Sequence, residues 1–132
     1  MAAIDRDRAL ALVGTPFRAQ GRDPASGLDC IGLVLCACGL PANYVRQDYR
    51  LRGDYRQELR DGLDKRFRRV SKREVQAGDL ILASISDDQC HLVILTERGF
   101  VHADASLRRV VETPGLPPWS VIGYYRRRLR SN

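Results

Sequence analysis

The uncharged run from Cys30 to Leu40, CIGLVLCACGL, limits the possible folds more than any other part of the chain. Asp29 precedes it as a capping side chain, and Gly39 and Pro41 follow as terminators, so the spacing predicts a helix beginning at Cys30. An ordinary surface helix keeps one polar face, but this one is apolar on nearly every side. It has to be enclosed, and the rest of the chain has to supply the cover. At 132 residues the chain is long enough to do this as one domain, 1–132, without disulfides or metals.

The flanking segments point to an α+β cover. Ala2 to Val13 has helical character, with Ile4, Ala9, Leu12 and Val13 expected on its inner face, and Gly14-Thr15-Pro16 stops it. Phe17 to Leu28 reads as loop. Tyr55, Leu59, Leu63 and Phe67 recur every fourth residue, which predicts an amphipathic helix, or two short ones broken near Gly62. Beyond Arg73 the period shortens. Residues 79–85, 91–96, 100–103, 109–112 and 121–126 are β-branched and aromatic runs separated by turn residues, as in successive antiparallel strands. Helices first and strands later predict an antiparallel sheet packed on the central helix.

Lys and Arg outnumber Asp and Glu by 22 to 16, a net charge of +6 that suits polyanionic partners without choosing among them. The basic stretch from Arg46 to Arg73 is interleaved with Asp48, Asp54, Glu58, Asp61 and Asp64 and reads as a solvated face. Neither it nor the closing RRRLR carries the aromatic interleaving of a nucleic-acid binder, so nucleic acid is not expected as a partner. The first residues are charged and lack an apolar core and cleavage site, so no signal peptide is expected, and no window reaches membrane-span length. Cys30, Cys36, Cys38 and Cys90 are therefore expected as free thiols. Cys36 and Cys38 are assigned to the core, and the spacing does not suit zinc.

The chemistry-bearing residues are few. Only two histidines occur, His91 and His102, one on each strand of a single predicted hairpin, which can set their rings side by side. Cys30 falls in the first turn of the buried helix, where unpaired N–H groups and the helix dipole favour a thiolate. A thiolate, an imidazole and a third polar group that orients the imidazole are the requirements of cysteine acyl transfer. Cys30 is then the nucleophile, His91 the base, and His102 the group that fixes the His91 tautomer. The Cys30 backbone N–H is a natural oxyanion donor. Cys90 should point away from His91, because neighbours on a strand face opposite sides.

The segments GTPFRAQGRDPASGLDCIGLV, AGDLILA, HLVILTERGFVHADASLRRVVET and WSVIGYYR resemble the NlpC family of papain-like cell-wall cysteine peptidases, in order and in spacing. They are most similar to its phage and gene-transfer-agent branch. The resemblance implies a papain-like fold, a Cys30-His91-His102 site without cofactor or metal, and a peptidoglycan stem peptide as substrate. The bond implied is that between γ-D-glutamyl and a diamino acid. Asp29 would bind the free amine of the stem peptide. The resemblance also implies phage tail proteins as partners, with delivery from the cytoplasm to the cell wall in a phage-like particle.

Three positions depart from the family pattern. Phe17 stands where a Tyr is common, Ile31 where a Ser follows the nucleophile, and Cys90 where a Ser or Thr precedes the base histidine. Two alternatives therefore stay open: an amidase or acyltransferase using the same thiol, and a catalytically silent domain for wall binding or tail assembly.

Overall fold

The computed structural model describes residues 2–46, 55–87 and 89–128. The central helix is α2 (Cys30–Ala37), with Asp29 as its N-cap accepting the Gly32 N–H at 2.8 Å. Every residue of α2 except Cys36 is buried. The buried Ile31, Leu33, Val34 and Leu35 form the centre of the main core. Full burial of one such side chain is worth roughly 1.5–3 kcal/mol, which is why so apolar a helix cannot lie at the surface.

Around it lie α1 (Ala2–Ala11), a small hairpin of β1 (Arg22–Asp23) and β2 (Gly27–Leu28), and α3 (Arg56–Arg66). The strands β3 (Phe67–Val70), β4 (Leu80–Ser86), β5 (Gln89–Leu95), β6 (Gly99–Asp104), β7 (Arg109–Pro114) and β8 (Ser120–Arg127) make one six-stranded sheet. Its order is β3-β8-β4-β5-β6-β7, and all its pairings are antiparallel. Helices cluster early and the sheet follows, the α+β arrangement expected from the change in period.

Two expectations need correction, and one open alternative is settled. The inner face of α1 is Ala2, Asp5 and Ala9, whereas Ile4 is 49% and Val13 44% exposed. Asp5 turns inward because Arg127 meets it there with two hydrogen bonds, of 2.9 and 3.2 Å. Helix α3 is unbroken at Gly62, whose carbonyl accepts the Tyr44 hydroxyl at 2.6 Å. Phe67 is no helix residue: it opens β3, an edge strand pairing with β8.

The sheet has two apolar faces. Cys90, Leu92, Ile94, Val101 and Ala103 pack under α2 in the main core. Ile81, Ala83, Val93 and Phe100 form a second cluster on the other side, joined by Trp119 and Tyr124. The strands β5 and β6 pair only at Ile94–Val101 and Leu95–Phe100. Yet β5 stays paired to β4 as far as Gln89, and β6 to β7 as far as Asp104. The sheet therefore opens between β5 and β6 at its His91 and His102 end, and α2 packs against both strands.

Candidate active site

A capping network fixes the start of α2. Besides Gly32 N–H, the Asp29 carboxylate accepts the Gln20 N–H at 3.0 Å and the Arg22 guanidinium at 3.3 Å. Asp29 is fully buried. Gly32 allows the loop before α2 to close on the helix, since a Cβ there would lie 2.0 Å from the Gly21 carbonyl oxygen. Sequence and close approach together hold Cys30 at the head of the helix, beside the opening in the sheet.

The Cys30 sulfur lies against the backbone N–H groups of Leu92 and Ile31, and both favour the thiolate. Burial outweighs them and, with the negative charge of Asp29, pushes the thiol up to about 12. Among the described residues no hydrogen bond joins this thiol to the His91 ring.

His91 and Cys30 line one cleft of about 230 Å³, with His102, Phe17, Asp104 and Trp119 also in its wall. Alternation along β5 puts Cys90 and Leu92 under α2 and His91 on the side of Phe100 and Trp119. Where β5 and β6 are no longer paired, the cleft is lined by residues of both sides. Cys90 thus points away from His91, as the strand period predicts.

The two imidazoles meet as expected of a shared hairpin. His91 Nε2 is 3.0 Å from His102 Nδ1, and His102 Nε2 is 3.2 Å from Thr113 Oγ1. This leaves Nδ1 of His91 as the ring nitrogen outside the chain of contacts. Burial, reinforced by the neighbouring His102, lowers His91 to about 4. Burial also lowers His102, against a smaller opposing pull from Asp104. Burial thus favours the neutral form of the thiol and of both imidazoles. A neutral imidazole can accept a proton, and a thiol can supply one as it attacks a carbonyl.

Cys30, His91 and His102 line one cleft, and of these the two histidines are in contact. Asp29 does not join them: it lies outside the cleft wall, occupied by the Arg22 and backbone contacts that organise the helix start. Ile31 is 1% exposed and packs into the core, so this departure from the family pattern lies away from the cleft, whereas Phe17 lines it. Cys38 is buried and Cys36 half-buried. No group of metal-ligating side chains occurs among the described residues. The basic C-terminal run is partly structural, with Arg126 on Asp79 and Arg127 on Asp5, while residues 129–132 lie outside the described part.

Sequence reasoning missed two residues. Trp119 stands edge-on to His91, with centroids 5.1 Å apart. As the only tryptophan, next to a strand start, it could have been singled out. Thr113 had no local signal, because its contact with His102 depends on the β6–β7 register, in which Phe100 is opposite Thr113 and His102 opposite Val111.

Comparison with solved structures places the fold. The peptidoglycan hydrolase RipB of Mycobacterium tuberculosis aligns with a TM-score of 0.61 at 22% identity, over 96% of this chain and 63% of that one. This chain thus spans less than two thirds of the RipB structure. The NlpC/P60 domain of the peptidoglycan hydrolase SagA gives 0.57 at 21% identity, covering 86% of this chain and 89% of that one. The P60 domain of an antigen from M. avium subspecies paratuberculosis gives 0.60 at 19%, covering 96% and 93%. No curated protein matches the chain. None of these similarities supports the phage and gene-transfer-agent branch. The NlpC/P60 family model matches residues 14–120, a stretch that includes Cys30, both histidines, Thr113 and Trp119, and the chain belongs to the NlpC/P60 family.

Proposed function

We propose that the chain is a cysteine endopeptidase of peptidoglycan stem peptides, cutting the amide between γ-D-glutamyl and a diamino acid. One observation carries this reading: Cys30, His91 and His102 line the same cleft, and the two rings are 3.0 Å apart. RipB and SagA, which share the fold, are peptidoglycan hydrolases. Family membership supports wall peptide as the substrate class.

In this reading the Cys30 sulfur attacks the amide carbonyl while its proton passes to His91 Nδ1. The tetrahedral oxyanion is stabilised by the backbone N–H at the start of α2, where the unpaired donors of the helix point. His91 then delivers its proton to the leaving amine, and the acyl group stays on sulfur. Water, deprotonated by His91, releases the acid and restores the thiol. His102 holds the ring of His91 throughout. Asp29 acts through the helix start, by fixing Cys30, and need not touch substrate.

Incubating purified muropeptides with the protein and with its Cys30→Ala variant tests this, with products read by mass spectrometry. A new pair of fragments whose masses sum to that of the muropeptide plus one water, cut at the γ-D-glutamyl bond and absent with Cys30→Ala, is the expected result. Cleavage between the sugar and the first amino acid would instead favour the amidase reading. Wild-type protein that leaves every stem-peptide chemistry intact would overturn the peptidase reading.

A further inference from the structure

We propose that Thr113 is a positioning residue that sets the tautomers of both histidines by accepting a hydrogen bond from His102 Nε2–H. The proposal rests on the reading of Cys30, His91 and His102 as an acyl-transfer site. Its geometry is a three-member chain: His91 Nε2 to His102 Nδ1 at 3.0 Å, and His102 Nε2 to Thr113 Oγ1 at 3.2 Å.

Each neutral imidazole carries one N–H, so only two proton patterns satisfy both contacts. In the first, His91 Nε2–H donates to His102 Nδ1, and His102 Nε2–H donates to Thr113 Oγ1. His91 Nδ1 is then bare and can take a proton. In the second, the Thr113 hydroxyl donates to His102 Nε2, His102 Nδ1–H donates to His91 Nε2, and His91 Nδ1 already carries its hydrogen. A ring in that state cannot act as base at Nδ1. The far end of the chain thus decides whether the near end works.

The first pattern also survives the reaction without rearrangement. When Nδ1 takes the thiol proton, His91 becomes an imidazolium that keeps its existing Nε2–H bond to His102. The positive charge then rests beside a neutral ring whose lone pair faces it. The second pattern would need both protons to move along the chain before attack. Thr113 suits the acceptor role because its hydroxyl hydrogen can rotate away and present a lone pair. Strand pairing fixes its place, since Thr113 and His102 are diagonal neighbours on one face of β6 and β7. Phe100, tilted against His102 with centroids 4.9 Å apart, packs against that ring.

Thr113→Val keeps the side-chain shape and removes the acceptor, whereas Thr113→Ser keeps the acceptor. The test combines nitrogen-15 NMR of the histidine rings with steady-state kinetics on a stem peptide. Wild type and Thr113→Ser should both give a single Nε2–H tautomer for each histidine. Thr113→Val should give mixed tautomers and lose about tenfold or more in kcat with KM little changed. Wild-type tautomers and kcat in Thr113→Val would overturn the proposal. So would a Thr113→Ser protein of wild-type melting temperature that behaves like Thr113→Val. The NMR measurement needs no turnover, so it decides the role of Thr113 even if muropeptide assays disprove the peptidase reading.

Discussion

The indole of Trp119 meets the His91 ring edge-on, with centroids 5.1 Å apart and planes at 84°, and it also touches Phe100 and His102. It covers the imidazole on the side of the sheet away from α2, and burial is the main cause of the lowered His91 pKa. Replacing Trp119 with Leu should admit water and return His91 toward its ordinary value. With His91 as the proposed base, the acid limb of the pH–rate profile should move to higher pH, by roughly one unit. Titrating the ring by NMR in both proteins checks this, and an unmoved His91 midpoint would contradict it.

A second expectation concerns the thiol. With Cys30 pushed up to about 12, little thiolate exists at neutral pH. Alkylation by iodoacetamide should then be slow near pH 7 and climb steadily above pH 9. An ion pair with His91 would instead give a plateau of reactivity extending down to mildly acidic pH. Mass spectrometry of Cys30 modification against pH, with Cys36, Cys38 and Cys90 as internal controls, separates the two profiles.

Stability should also depend on pH through His91. Its folded pKa, about 4, lies below the ordinary 6.5, so the unfolded chain binds the extra proton first as acid is added. Stability is therefore full above pH 6.5 and lost as pH falls toward 4. The melting temperature should drop across that window, and less steeply in His91→Gln. Equal slopes in the two proteins would assign the acid sensitivity elsewhere.

Much of this arrangement was legible because it depends on short-range pattern. The apolar run behind Asp29 foretold α2, and period-two runs foretold the five strands from β4 to β8. The hairpin foretold the meeting of His91 with His102. What escaped depends on partners distant in sequence. Asp5 reads as a polar residue on a helix until Arg127, at the other end of the chain, is seen to draw it inward. Phe67 fits the four-residue period of α3, but pairing with β8 ends the helix before it. Thr113 and the separation of β5 from β6 are matters of register, which a list of apolar runs leaves open. Asp29 was legible as the cap of α2 from its place before the apolar run.

The contact between the two ends of the chain makes a last prediction about stability. Asp5 is 1% exposed and sits against the Arg127 guanidinium at 2.9 Å. Burial still raises its pKa, because desolvation outweighs the attraction of Arg127. The pair is therefore costly to break from one side and of small net worth when intact. Arg127→Met should strand a buried carboxylate and cost about 3–5 kcal/mol. Adding Asp5→Leu should restore part of that loss by removing the orphaned charge. Recovery should stay incomplete, since Arg127 also donates to the Cys38 carbonyl at the end of α2. Urea denaturation of the two single variants and the double variant measures the coupling. Additive losses would show that Asp5 and Arg127 act independently.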